Sequence, residues 1–146
     1  MIFDKNKKKI GQYELFGHSF AWYFQLVKRR VIYIWLAVLI VRFFTAVPIV
    51  DARLIFFTGF FSYGVEFIGY VLLVRFLKKK SDIDQVSAIV LSGVVGSMVG
   101  SGVALVEILW YHNLWSLWQL ILHPLISASL AGAIATIYLV GRKNNN

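Results

Sequence analysis

Beyond residue 30 the chain is written in long apolar runs separated by short polar breaks. Runs over 31–50, 54–76, 85–111 and 115–141 each reach the roughly 20 residues that an α-helix needs to cross a hydrocarbon core about 30 Å thick. Apolar positions are continuous rather than alternating, so the runs predict helices and not the strands of a closed barrel. The last two are long enough to tilt or to enter the headgroup layers. The expected fold is an all-α integral membrane protein. It is a four-transmembrane-helix bundle over 31–141, preceded by a cytoplasmic amphipathic N-terminal helix within 1–30 and followed by a short cytoplasmic tail, 142–146.

Within the first 30 residues, Tyr13, Phe16, Phe20, Phe24 and Val27 recur at helical spacing, which predicts one apolar face. Gly17 marks a break or a start, and Ser19 is placed to cap the helical turn after it. Trp22 and Tyr23 suit a headgroup layer, and Lys28, Arg29 and Arg30 suit anionic phosphates. This face docks on a membrane surface or a partner, or it lies on its own bundle; the pattern is compatible with each.

Composition agrees with the pattern. The chain is 59% hydrophobic and 15% charged, with a mean hydropathy of +0.71, whereas soluble domains average about 45–50% and about 25%. It contains no cysteine, which excludes disulfide, thiol-redox, Cys-zinc and iron–sulfur chemistry. Of its 15 basic residues, all but Arg42 and Arg53 fall before the first run, between the end of the second (from Arg75) and the start of the third, or after the fourth. Lys/Arg excess marks cytoplasmic segments, so both termini are expected in the cytoplasm of a plasma-membrane protein. The net charge of +8 needs no nucleic acid to explain it, because the basic clusters abut the spans and suit anionic lipids at the cytoplasmic face. No cleavable leader is expected, since the first apolar run starts too deep.

Two features bear on packing and chemistry. In the third run Gly96, Gly100 and Ala104 recur every four residues beside Gly93, and Ser127 and Ala131 repeat the interval in the fourth. Small residues at this spacing let helix backbones approach closely. The partner face is either the other helix of a third–fourth hairpin or a second copy of the chain. Away from its ends, each run also carries one charged or imidazole group: Arg42, Glu66, Glu107 and His123. Such groups face the interior of a bundle and pair there. Matching depths along the helices predicts an Arg42–Glu66 pair near the midplane, with Tyr63 and Tyr70 as donors to the carboxylate. Glu107 and His123, with Gln119 on the histidine face, form a second polar couple. Pro124 removes a backbone donor beside them and is expected to kink its helix.

No catalytic motif is present, and His18, His112 and His123 are scattered, so neither an enzyme, a metal site nor a cofactor is expected. The sequence is read first as a membrane-embedded subunit, scaffold or assembly factor working through helix contacts. Its partners are then a second copy or a larger complex. The other reading is an oligomeric small transporter or channel that uses Glu66 or the Glu107–His123 couple for proton or cation coupling.

Overall fold

A computed structural model describes residues 14–15, 18–46, 52–80, 82–111 and 117–141. Four helices make up nearly all of it: α1 (Phe20–Ala46), α2 (Ala52–Lys78), α3 (Gln85–Tyr111) and α4 (Gln119–Val140). Before α1, β1 (Glu14–Leu15) pairs antiparallel with β2 (His18–Ser19), Leu15 opposite His18. The helical reading is corrected at Glu14–Leu15 and His18–Ser19, which pair as strands, and the described helix begins at Phe20; Tyr13, Phe16 and Gly17 lie outside the described residues. Ser19 fixes that start by accepting a hydrogen bond from the Trp22 N–H at 3.3 Å. The His18 ring stacks on Trp22 with centroids 3.9 Å apart, holding β2 against the first turn of α1.

Among the described residues, three helices contain stretches long and apolar enough to cross a membrane: Phe60–Lys78, Gln85–Leu109 and Gln119–Val140. α1 is different. It runs unbroken through Lys28, Arg29 and Arg30 and carries Arg42, so the amphipathic stretch and the first apolar run form one helix of 27 residues. Instead of four equivalent spans, the described residues show three helices of membrane-crossing character preceded by a fourth that carries Lys28, Arg29 and Arg30 within its length. The polar lead before residue 14, the α3–α4 loop at 112–114 and the tail at 142–146 lie outside the described residues. So does residue 51 of the α1–α2 loop, while Arg53 is already within α2.

Contact pairs give the register of the bundle. Arg30 faces Phe76, Ile34 faces Gly69 and Arg42 faces Ser62, so α1 and α2 run antiparallel. Gly96 meets Ser127 and Gly100 meets His123, which makes α3 and α4 a second antiparallel pair. Tyr63 with His123, Glu66 with Ser127 and Lys78 with Tyr138 set α2 parallel to α4. Trp35 with Gly102 and Arg42 with Glu107 set α1 parallel to α3. Two hairpins therefore lie side by side in the same direction, with α1 and α4 on one diagonal.

The α3–α4 contact is the most extensive in the bundle, and its glycines show why. A Cβ on Gly96 would stand 2.3 Å from the Ser127 carbonyl oxygen, and one on Gly100 would stand 2.5 Å from that of His123. Both obstacles are backbone and cannot rotate away. Ala104 and Ala131 are fully buried, while Gly93 has 3.8 Å to its nearest neighbour and sits at the edge of the contact. α4 continues through Pro124, and the imide nitrogen of that residue lies at the point where Gly100 comes closest. The small-residue stripe thus closes the hairpin within one chain.

Each inward stripe changes character along its length. At the basic end it is apolar: Tyr23 and Val27 from α1, Leu73 and Leu77 from α2, Leu91 from α3 and Leu139 from α4 are buried together. Toward the other end the same stripes carry Arg42, Ser62, Glu66, Glu107, His123 and Ser127. The α3 start is marked by Asp84, whose carboxylate accepts from the Ser87 N–H at 3.3 Å and from the Ser87 hydroxyl. That pair of donors holds the Asp84 carboxyl below the usual aspartate range.

This packing has two measurable consequences. Gly96→Ala and Gly100→Ala each force the hairpin apart, an overpacking cost of about 1–3 kcal/mol in unfolding measured in mild detergent; Gly93→Ala, with room for a methyl, shows none of it. The Asp84 cap contributes fully above the ordinary aspartate value of about 3.9 and is lost as pH falls through the lower folded-state value. Amide exchange in the first turn of α3 accelerates over that acidic window in the native chain. It becomes independent of pH there in Asp84→Asn, apart from the intrinsic exchange chemistry.

Candidate functional site

The polar half of the bundle interior is assembled by all four helices. Arg42 approaches from α1, one turn beyond the buried Val38 on the same stripe. Its Nε donates to the Ser62 hydroxyl on α2 at 2.9 Å, and its Nη1 forms an ion pair with Glu107 Oε1 on α3. Tyr63 is the next side chain along α2 and also faces the guanidinium. Glu107 in turn lies 3.4 Å, through Oε2, from Nε2 of His123 on α4. The His123 ring stacks on Tyr63 with centroids 6.1 Å apart and planes 17° from parallel. A guanidinium, a carboxylate and an imidazole so joined connect three helices, and Ser62 and Tyr63 add the fourth.

Glu66 sits one turn deeper and has different company. It is fully buried. Its Oε2 accepts from the Tyr70 hydroxyl at 3.1 Å and from the Ser127 hydroxyl at 2.7 Å. The expected Arg42–Glu66 pair is therefore corrected: the ion pair at Arg42 is made with Glu107, and Glu66 is held by two neutral donors. The reason is lateral. Matching of depths holds to a turn of helix, but α1 and α3 are neighbours on the side where Arg42 projects, and α2 offers it Ser62 instead of the carboxylate. Tyr70 donates to Glu66 as expected, whereas Tyr63 turns to the imidazole.

Several atoms in this region are buried and lack a hydrogen-bond partner: Glu66 Oε1, Glu107 Oε2, His123 Nδ1, Gln119 Oε1 and Trp35 Nε1. Gln119 lies one turn before His123 on α4, at the end of the polar layer. Arg42 and Glu107 keep 17% of their side-chain surface exposed, while Glu66 keeps none. The layer therefore grades from partly accessible ion pair to sealed carboxyl, and beyond Tyr70 it ends against the apolar core. Buried polar atoms without partners are costly, and clustered unpaired capacity inside a helical bundle suits a guest that brings its own donors or charge. No group of three His, Cys, Asp or Glu able to hold a metal ion occurs among the described residues.

Helical spacing places Glu107, His123 and Gln119 together, and the structure brings the first two into contact. The four-residue interval marks Ser127 as a packing residue. It is that, through its carbonyl against Gly96, and it is also a ligand of Glu66 through its hydroxyl. Ser62, on the Glu66 face of α2, is the hydrogen-bond partner of Arg42, a contact that the spacing alone does not reveal.

No protein-family model matches the chain, and no curated protein or solved structure is significantly similar to it.

A double-mutant cycle separates the two candidate ion pairs. Arg42→Gln and Glu107→Gln each leave a buried charge uncompensated and cost about 3–5 kcal/mol. The double substitution recovers a coupling energy of about 0.5–3 kcal/mol. Arg42→Gln combined with Glu66→Gln is additive. Unfolding of the three single and two double variants in bicelles measures both cycles.

Proposed function

We propose that the chain is a small multi-pass membrane protein that moves protons or small monovalent cations, with Glu66 as the carrier group. In this reading α1 also crosses the membrane from Val31 onward, and the basic ends of the helices face the cytoplasm of a plasma-membrane protein. The observation that carries the proposal is the placement of Glu66. It is sealed from solvent with one carboxyl oxygen unpartnered, at the inner end of a polar layer that begins at the opposite end of the bundle from the basic collar. An intramembrane ionisable group is expensive and is retained where it serves a pathway. Arg42, Glu107 and His123 then line the approach, and the apolar packing of Leu73, Leu77, Leu91 and Leu139 closes the other side. Such an arrangement is one state of an alternating-access cycle. A single chain of this size encloses only half a path, so the active form is a homo-oligomer.

A second reading has an observation of its own. Arg42 is compensated by Glu107 and Ser62 in a clasp that links three helices, as a membrane-embedded subunit or assembly factor would need to hold its shape. In that reading the clasp is the purpose of the charges, and the outer helix faces meet a larger complex.

Proteoliposomes of the full chain with a trapped pH-sensitive dye distinguish the two. The native chain dissipates an imposed proton gradient, or a sodium or potassium gradient in parallel vesicles. Glu66→Gln reduces flux to the level of protein-free vesicles while its unfolding midpoint stays at the native value. Native flux no greater than that of empty vesicles, or undiminished flux in Glu66→Gln, removes the transport reading.

A further inference from the structure

On the outside of the α1–α2 pair, away from the polar layer, runs a groove of about 210 Å³. Ile34, Gly69 and Leu73 form its floor, and Ile34 and Leu73 are buried there. Its walls are Tyr33 on one side and Ile68 and Leu72 on the other, all exposed. The floor is recessed because Gly69 carries no side chain. A Cβ there would stand 2.8 Å from Ile34 Cγ1, so Ile34 packs directly over the α2 backbone. Only one charged group lines the groove, Arg30 at its end. The Arg30 guanidinium is steadied there by the Phe76 ring, 4.7 Å below it.

Shape and charge together identify the occupant. From Val65 to Leu73 the groove follows eight helical steps of α2, about 12 Å, which is most of one leaflet's share of a hydrocarbon core about 30 Å thick. It is apolar along that length and cationic at the end where α2 carries Arg75 and Lys78. A helix from a partner would be too wide for it and would find a lone guanidinium at its edge. We propose that this groove is a specific site for one anionic phospholipid, with an acyl chain along Ile34 and Gly69 and the headgroup phosphate on Arg30. Long apolar stems and an arginine fork at the headgroup level are the ordinary means of holding such a ligand. The site stands on the α1–α2 groove alone and is independent of whether Glu66 carries a cation.

Native mass spectrometry of the full chain, released from nanodiscs of equal parts phosphatidylcholine and phosphatidylglycerol, tests it. The native chain retains one phosphatidylglycerol in preference to phosphatidylcholine. Arg30→Gln lowers that preference about fivefold, the worth of one basic contact to an anionic lipid. Arg29→Gln, with the same change of charge but outside the groove, retains the lipid. Ala37→Phe fills the groove and loses the retained lipid of either headgroup. Equal loss in Arg30→Gln and Arg29→Gln would reduce the effect to diffuse surface charge and overturn the site. A dimer that Ala37→Phe dissolves would assign the groove to a second copy and also overturn it. Circular dichroism of each variant confirms its helical content before the comparison, and the Arg30→Gln against Arg29→Gln contrast decides the matter even where Ala37→Phe fails to fold.

Discussion

A guanidinium enclosed by apolar helices must find its counter-charge within the bundle, and the position of Arg42 governs much of what surrounds it. Its pairing with Glu107 ties α1 to α3, two helices that are not consecutive. Because these run parallel, the two hairpins are locked side by side in the same sense. His123 is drawn into line with Glu107 from α4, and Ser62 caps the guanidinium from below. Once these four positions are set, Ser127 comes opposite Glu66 without further adjustment, since it lies one turn along α4 from His123 as Glu66 lies one turn along α2 from Ser62. The deeper carboxyl thus inherits its hydroxyl partner from the geometry of the ion pair above it.

That alignment is possible only because α3 and α4 can almost touch. Backbone contact at Gly96 and Gly100 brings the carbonyls of Ser127 and His123 onto α3, which places their side chains toward α2. A wider hairpin would move the imidazole away from Glu107 and the Ser127 hydroxyl away from Glu66. Where lipid supplies no hydrophobic drive, close packing is the main force holding such a pair. The hydroxyls of Ser92 and Thr136 are satisfied on their own helices, at the carbonyls of Ala88 and Gly132.

Much of this is legible in the sequence, and the missing part has a definite cause. Apolar run length locates α2, α3 and α4 closely, because 20 or so continuous apolar residues admit little else. The small-residue interval marks the contact face of α3, and of its two possible partners the hairpin is the one realised. Period and depth fix a residue's height and its side of its own helix. They do not say which helix stands on that side. Short loops favour consecutive neighbours, which makes Glu66 the natural partner for Arg42, while the contact actually made is between the first and third helices. The N-terminal segment departs from its pattern for a different reason: Tyr13, Phe16 and Phe20 match a helical period, but local pairing of β1 with β2 and the Ser19 cap decide where helix starts.

The two readings of the charged interior divide over a single side chain. Arg42 and Glu107 explain one another; remove either and a buried charge is left behind, so a structural role accounts for both. His123 adds a ring that packs on Tyr63 and needs no charge to do so. Glu66 is the residue that this account does not absorb. Its two bonded partners are neutral hydroxyls, and an amide oxygen would accept from them equally well. A glutamine in its place would keep the packing and avoid the burden of a buried ionisable group. What a carboxyl has and an amide lacks is the capacity to gain and release a proton or to balance a passing cation, and the unpartnered Oε1 leaves one position at which that exchange can occur.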